Sequence, residues 1–348
     1  MSVINGILLH GVGASAASLC YTPEKKLIRW SWQSYWLAQA FICWFLLPLI
    51  GAYITIPELA TVLRHAPADA MWKSFALGAA YGIGGTAFGL AIQHIGFSLT
   101  YAISIGISCV LGTLLPPWVK GELTTVLSQP GSGFIILGMV LGVCGIAFCG
   151  IAGRSKEVDI ASQEKDRAQN FNLGKGLFLS ISAGVLSALY GFSLDQGQPI
   201  ADVAAQYGAG QFQGNVIYIF SNTGAFIFPM VYSLYLHRKE GTFKEYFTPA
   251  EAGARRPLAR NYLLAILTGC LWYSQFFFYG LGHTRMGDYE FTSWAIHMIM
   301  LVLLSLVTGL LLKEWVGSSK KTVWLLSLAL LVLIGSVIVL TIGNSMGA

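Results

Sequence analysis

Charged residues are scarce in this sequence, and their scarcity excludes most soluble classes of protein. Asp, Glu, Lys and Arg together make up 11% of the 348 residues, whereas soluble globular proteins contain about 25%. Apolar residues make up 55%, and the mean hydropathy is +0.64. A folded protein of this size cannot cover its surface in water with so few charges, so an ordinary cytosolic enzyme and a disordered chain are both excluded.

Signals of several other classes are also missing. The six cysteines lie in apolar segments and form no Cys-x-x-Cys pair, so we interpret them as small buried hydrophobic residues and predict no metal and no cofactor. No basic patch of the kind that binds nucleic acid is present, which excludes nucleic acid as a partner. The N-terminal apolar run follows no Lys or Arg, so we expect it to be retained rather than cleaved as a signal peptide.

Long apolar runs are what the sequence has instead. Ten runs are long enough to cross a bilayer as helices, and they cover approximately residues 3–22, 34–57, 73–94, 98–119, 134–152, 175–195, 214–236, 261–282, 289–312 and 322–343. Continuous runs of about 20 residues differ from the alternating pattern of a membrane β-barrel. The sequence therefore predicts an all-α membrane protein with ten transmembrane helices in the lipid bilayer.

Basic residues are distributed unevenly among the loops that join these runs. Of the 21 Lys and Arg residues, 17 fall in the odd-numbered loops and four in the even-numbered loops. Because cytoplasmic loops carry an excess of Lys and Arg, we predict that the odd loops are cytoplasmic and that both termini are periplasmic. A missed or extra helix would disturb this alternation, so the distribution also supports the count of ten.

An internal repeat relates the third and eighth predicted helices, which match at a constant offset of 191 residues. The matched pairs are Gly78 with Gly269, Tyr81 with Trp272, 88–90 with 279–281, and Gly96 with Gly287. The match predicts two five-helix repeats, residues 1–152 and 175–348, joined by a cytoplasmic linker at 153–174. Because five is odd, the repeats are inverted relative to each other, which is typical of secondary transporters with a substrate site near the midplane.

Glycine is concentrated in the third predicted helix, at positions 78, 82, 84, 85 and 89. Small residues predict close packing between helices in a bilayer. Gly82, Gly84 and Gly85 would additionally leave room for a ligand, and the sequence leaves both interpretations open.

Polar side chains at membrane depth are candidates for a functional site, because they are costly there. At a rise of 1.5 Å per residue, His10 in the first helix, Gln275 in the eighth and His297 in the ninth all lie about 12 Å below the outer surface. We therefore predict that these three side chains line one cavity. Lys and Arg are missing from mid-span, which disfavours an anionic substrate.

Two helix faces combine aromatic rings with hydrogen-bonding groups. They consist of Trp272, Gln275, Tyr279 and His283 on the eighth helix and Glu290, Ser293, Trp294 and His297 on the ninth. Aromatic rings cover the C–H face of a pyranose, and amide, imidazole and hydroxyl groups bind its hydroxyls, so the predicted substrate is a small-molecule sugar. Tyr101 on the fourth helix is a weaker candidate for the same site. Alternatively, the rings face lipid or the core, and the polar groups have structural partners.

Several blocks of the sequence carry a resemblance to a known family. They are 272–279 (WYSQFFFY), 282–285 (GHTR), 293–298 (SWAIHM) and 312–315 (LKEW), with shorter blocks at His10, 13–17 (GASAA), 30–32 (WSW) and 82–84 (GIG). These blocks resemble the bacterial L-rhamnose–proton symporter family of the drug/metabolite transporter superfamily. The resemblance covers nearly the whole chain and is densest in the eighth and ninth predicted helices.

The resemblance implies two inverted five-helix repeats in the bacterial inner membrane, and a transporter rather than an enzyme. The implied activity is import of L-rhamnose, or of a closely related deoxy sugar or aldose, in symport with protons by alternating access. In the superfamily, helices one, three, four, six, eight and nine line the central cavity. Residues 85–87 (GTA) and 93–94 (QH) depart from the family's usual residues, so specificity would differ if that segment faces the sugar.

With a proton as the implied partner, four residues are candidates to carry it. They are His297, Glu290, His10 and His283. Imidazole titrates in the physiological range, and a partly buried carboxyl group can be shifted towards it. The sequence does not choose among the four.

Two other functions remain open. A metabolite or drug exporter of the same superfamily would share the fold and differ in the direction of transport. A membrane-embedded transferase acting on lipid-linked sugars would need a carboxylate or metal site beside basic residues, and Arg285, Asp288 and Glu290 form the one small cluster of that kind.

Overall fold

The computed structural model describes residues 3–20, 22–95, 97–161, 172–248 and 255–346, and over these residues the regular secondary structure is helical, without a strand. The α-helices are α1 Val3–Leu19, α2 Trp32–Ala40, α3 Leu47–Thr55, α4 Leu59–His65, α5 Ala68–Ile95, α6 Phe97–Val119, α7 Leu123–Leu127, α8 Ser132–Ala161, α9 Leu173–Gln196, α10 Gln198–Gln206, α11 Ile217–Glu240, α12 Arg255–His283, α13 Ser293–Leu311 and α14 Lys320–Ser345. Short 3-10 turns lie at Pro23–Lys26, Gly210–Val216, Thr242–Tyr246 and Gly287–Thr292.

Within the described ranges, nine helical segments are long and apolar enough to cross a membrane. They are Trp32–Thr55, Ala68–Ile92, Leu99–Val119, Ser132–Lys156, Leu173–Gln206, Gly210–Glu240, Leu258–His283, Tyr289–Leu311 and Lys320–Ser345. The apolar helix α1 has 17 residues, a length of about 26 Å, which is near the lower limit for a bilayer. The prediction of an all-α, multi-pass membrane protein is confirmed, and each predicted apolar run coincides with a helix.

The segment Trp32–Thr55 is not a uniform α-helix. Between α2 and α3 it contains a π-helical turn, Phe41–Leu46, after which the N–H of Leu47 donates to the carbonyl of Ile42. Pro48 follows at the start of α3 and has no N–H with which to continue an α-helical pattern. Hydropathy does not distinguish a π turn from an α-helix, so the apolar run alone does not predict this turn.

The chain forms two compact units by its internal contacts. Unit 1 contains residues 1–18, 84–192 and 281–348, and unit 2 contains residues 19–83 and 193–280. In unit 1, α8 and α14 pack closely. The hydroxyl of Ser336 on α14 donates to the carbonyl of Gly138 on α8 at 2.7 Å. A Cβ at Gly138 would lie 2.6 Å from Leu340, so the small residue allows this approach.

In unit 2, α5 and α11 approach each other backbone to backbone. A Cβ at Gly78 would overlap the carbonyl oxygen of Ser221, and a Cβ at Gly82 would overlap that of Ala225. Packing therefore accounts for Gly78 and Gly82, as small residues at a helix interface predict. Elsewhere on α5, in unit 1, nothing lies within 4 Å of a Cβ at Gly85.

Replacing Gly78 with alanine is expected to destabilise the protein by about 1 to 3 kcal/mol, because an overlap with backbone cannot be relieved by rotating a side chain. Gly85→Ala is the matched control on the same helix, where a methyl group meets open space and raises helix propensity by up to about 1 kcal/mol. Thermal unfolding of both variants in detergent measures the difference. A Gly78→Ala variant as stable as the Gly85→Ala control would contradict the close approach of α5 and α11.

The interpretation of every cysteine as buried is wrong for Cys144. Its side chain is exposed on α8, whereas Cys20, Cys43 and Cys109 are buried, and all six cysteines are free thiols. The transmembrane part of α8 is apolar on all sides, so its sequence does not indicate which face turns towards the protein.

Some features of the chain lie beyond what hydropathy predicts. The amphipathic helix α10 buries Ile200, Ala201 and Ala204, but it is too short and too polar to be recognised as a span. α8 continues to Ala161, inside the predicted linker 153–174. Residues 162–171 of that linker and Gly96 of the internal repeat lie outside the described residues.

Candidate functional site

Unit 1 brings two of the predicted site histidines together. α1 carries His10 and α13 carries His297, both side chains are buried, and their ring centroids lie 5.9 Å apart in an edge-on arrangement. Gly282 gives His10 its space, because a Cβ there would lie 3.0 Å from Nε2. Two buried imidazoles at this separation cannot both carry a proton cheaply.

A second titratable pair lies near the end of α12 and the start of α13. His283 Nε2 lies 3.7 Å from Glu290 Oε2, and His283 Nδ1 lies 3.0 Å from the hydroxyl of Ser293. The side chains of His283 and Glu290 are 29% and 49% exposed. The four proton candidates therefore form one buried pair and one accessible pair.

Trp294 is held firmly on α13. Its indole N–H donates to the carbonyl of Ser108 at 2.9 Å, and its ring centroid lies 6.1 Å from that of Tyr190. A Cβ at Gly191 would lie 3.0 Å from the Trp294 ring, so glycine makes room for the indole. Since the N–H is already bonded, a sugar would meet Trp294 through a ring face.

Tyr101 lies half-buried on α6, with its ring centroid 6.2 Å from that of Phe88. Further along the same helix, Ser104 donates to the carbonyl of Ser180 at 2.9 Å. Ser108 donates to the hydroxyl of Ser187 at 3.0 Å. The serines of this face therefore tie α6 to α9.

Unit 2 holds Trp272, Gln275 and Tyr279 on α12, nearly buried at 8%, 8% and 7% exposure. The spacing had predicted that they share a face of this helix. Within the described part of the chain, the amide of Gln275 makes no hydrogen bond. An amide that lies on this face without a protein partner is able to bind a sugar hydroxyl.

Sequence reasoning missed the residues of the second helical span that extend this aromatic face. The rings of Trp36 and Trp44 lie 5.8 and 5.2 Å from that of Trp272, centroid to centroid. Tyr81 lies 6.2 Å from Trp44. The available signal was the occurrence of Trp36, Gln39 and Trp44 within one apolar run, because a polar amide among tryptophans is unusual at membrane depth.

Comparison with known proteins gives full-length relatives. The L-rhamnose-proton symporters of Yersinia pestis (strain Pestoides F) and Yersinia pseudotuberculosis (serotype O:1b, strain IP 31758) are each 33% identical to this chain over 336 residues, which is 96% of this chain and 96% of theirs. A solved crystal structure aligns with 98% of this chain and 98% of its own, with a TM-score of 0.52 and 13% identity; this likeness concerns the fold alone. The family model described as L-rhamnose-proton symport protein (RhaT) matches residues 1–347. The chain therefore belongs to the L-rhamnose-proton symport protein family.

Proposed function

We propose that this protein imports L-rhamnose in symport with protons by alternating access. The observation that carries the proposal is the family match over residues 1–347, together with symporters that are 33% identical over 96% of the chain. The protein is a transporter and not an enzyme. Its partners are a small-molecule sugar, the proton and the lipid bilayer.

The sugar-binding roles are assigned by side-chain chemistry. In unit 2, Trp272 and Tyr279 frame the C–H face of the sugar, and Gln275 binds its hydroxyls. In unit 1, Trp294 offers a ring face, and Tyr101 is a further candidate contact. The unpartnered amide of Gln275 is the strongest support for this assignment, because it has hydrogen-bonding capacity to give a ligand.

For the proton we propose the buried pair of His10 and His297, with the accessible pair of His283 and Glu290 as the alternative carrier. The burial and the ring separation of 5.9 Å support the first pair. A proton held there is shielded from water, so its movement can depend on the state of the transporter. His10 and His297 also have ring nitrogens that can bind sugar hydroxyls.

We propose for the finer topology ten transmembrane helices in two inverted five-helix repeats, residues 1–152 and 175–348, with a cytoplasmic linker at 153–174. α1 is the tenth span in this arrangement. The protein then lies in the bacterial inner membrane with both termini periplasmic, as a member of the drug/metabolite transporter superfamily. The location of 17 of the 21 basic residues in odd-numbered loops supports this orientation.

The test is sugar-induced proton movement. Adding L-rhamnose to cells that contain the protein, in a weakly buffered medium, is expected to make the medium alkaline, because each sugar enters with a proton. Cells without the protein are the control, and a proton uncoupler is expected to remove the signal. A panel of deoxy sugars and aldoses in the same assay measures specificity.

The other outcomes separate the alternatives. If another sugar of the panel makes the medium alkaline, the result would still support proton symport. Residues 85–87 and 93–94 of α5 would then be the first candidates for the origin of the different specificity. If the pH of the medium does not change with any sugar, the result would contradict sugar–proton import. The exporter would then be the better proposal.

A further inference from the structure

Unit 2 contains a buried amide that the proposed function does not use. Gln39 on α2 is fully buried, and neither its Nε2 nor its Oε1 has a hydrogen-bond partner among the described residues. The indole N–H of Trp44 is also buried without a partner there. Burying these donors and acceptors unpaired is costly, so a partner for them is expected in another state of the transport cycle.

The position of Gln39 relates it to the proposed sugar site. The carbonyl oxygen of Gln39 lies 3.1 Å from the position of a Cβ at Gly269, so Gln39 is level with Gly269 on α12. On α12, Gly269 precedes Trp272 by three residues and Gln275 follows Trp272 by three residues. Each therefore lies about 4.5 Å from Trp272 along the helix axis, in opposite directions. The backbone of Gln39 and the residue Gln275 therefore lie at levels on either side of Trp272.

Two further tryptophan rings pack against Trp272, which lies between the levels of Gly269 and Gln275. Trp36, Trp44 and Trp272 contact one another edge to face, with ring centroids 5.2 to 6.2 Å apart. Aromatic faces beside an amide and an indole N–H have the composition of a sugar-binding site.

The backbone next to Gln39 is a place where the helix can change. The π turn Phe41–Leu46 begins two residues after Gln39 and contains Trp44. Single π turns occur frequently at functional sites, because they interrupt the regular hydrogen-bond pattern of a helix. A change of register at this turn would move the Trp44 ring relative to Trp272.

We infer that Gln39 and the indole N–H of Trp44 form a second hydroxyl-binding subsite, which receives the sugar after it passes the Trp272 ring from Gln275. The inference rests on the proposed function, because it takes the same sugar at a later step of transport. The amide offers two donors and one acceptor to the sugar hydroxyls, and Trp36 and Trp44 offer ring faces. Gln39 acts here as a substrate-contacting residue of the translocation step and not of initial binding.

The test compares turnover with binding in the Gln39→Leu variant. The maximal rate of L-rhamnose uptake in proteoliposomes is expected to fall about tenfold, whereas the Kd for L-rhamnose, measured by calorimetry on the purified protein, is expected to change by less than about threefold. The variant should unfold at a temperature no lower than that of the wild type, because it removes an unpartnered buried amide. Trp44→Phe keeps the ring, loses the N–H, and is expected to lower the maximal rate in the same way.

Ser180→Ala is the matched control, because Ser180 in unit 1 also has a buried hydroxyl without a partner among the described residues. It should transport at the wild-type rate. Wild-type turnover in both Gln39→Leu and Trp44→Phe would overturn the subsite and leave the proposed function intact. An equal loss of L-rhamnose affinity and of maximal uptake rate in Gln39→Leu would have the same consequence. A wild-type protein that moves no sugar of the panel would overturn the proposed function, and the subsite with it.

Discussion

Replacing Gln275 with alanine is expected to lower L-rhamnose uptake about 5- to 150-fold, because losing a hydrogen-bonding group from the sugar site costs about 1 to 3 kcal/mol of transition-state binding. Gln275 lies on α12 between Trp272 and Tyr279 and is 8% exposed. Its amide makes no hydrogen bond within the part of the chain that is described. The protein itself should fold normally, since no internal hydrogen bond is lost with the amide.

Ser274→Ala provides the neighbouring control. The hydroxyl of Ser274 donates to the carbonyl of Cys270 on its own helix at 2.7 Å, so it is already satisfied and has no need of a ligand. Initial rates of radiolabelled L-rhamnose uptake, normalised to the amount of folded protein in the membrane, measure both variants. Full activity in Gln275→Ala would remove Gln275 from the sugar site.

The helices of this fold can be predicted from sequence because a bilayer requires long apolar segments. The last predicted run, 322–343, lies inside α14, and the other runs also coincide with helices. The π turn at Phe41–Leu46 was not predicted, since it changes the hydrogen-bond pattern without changing hydropathy. The exposure of Cys144 was not predicted either, because an apolar helix carries no signal for its buried face.

The site shows the same division between local and long-range information. Helical spacing predicted that Trp272, Gln275 and Tyr279 share a face. A depth estimate predicted that His10, Gln275 and His297 line one cavity, and the structure places His10 beside His297. Both predictions concern positions along helices whose geometry is known in advance. The bond from Trp294 to Ser108 joins residues that are 186 positions apart. Such a partner depends on how α6 and α13 pack, which the spacing of residues does not specify.

Replacing His297 with glutamine is expected to abolish uphill accumulation of L-rhamnose while exchange of the sugar across the membrane continues. Glutamine is similar in size to histidine and can form hydrogen bonds, but it cannot take up a proton. His297 is buried beside His10 at a centroid distance of 5.9 Å. If this pair holds the coupled proton, its loss separates sugar movement from the proton gradient without removing the pathway.

The measurement compares accumulation in energised cells with counterflow in proteoliposomes, where no proton gradient is needed. His10→Gln is expected to behave like His297→Gln if the two rings hold one proton as a pair. His283→Gln and Glu290→Gln should still accumulate sugar, because these side chains are 29% and 49% exposed. A proton on the accessible pair can exchange with water whether or not sugar is bound, so we expect the buried pair to couple the two fluxes. This assignment would be contradicted if Glu290→Gln no longer accumulates L-rhamnose while His297→Gln still does. The accessible pair would then be the site that couples proton and sugar movement.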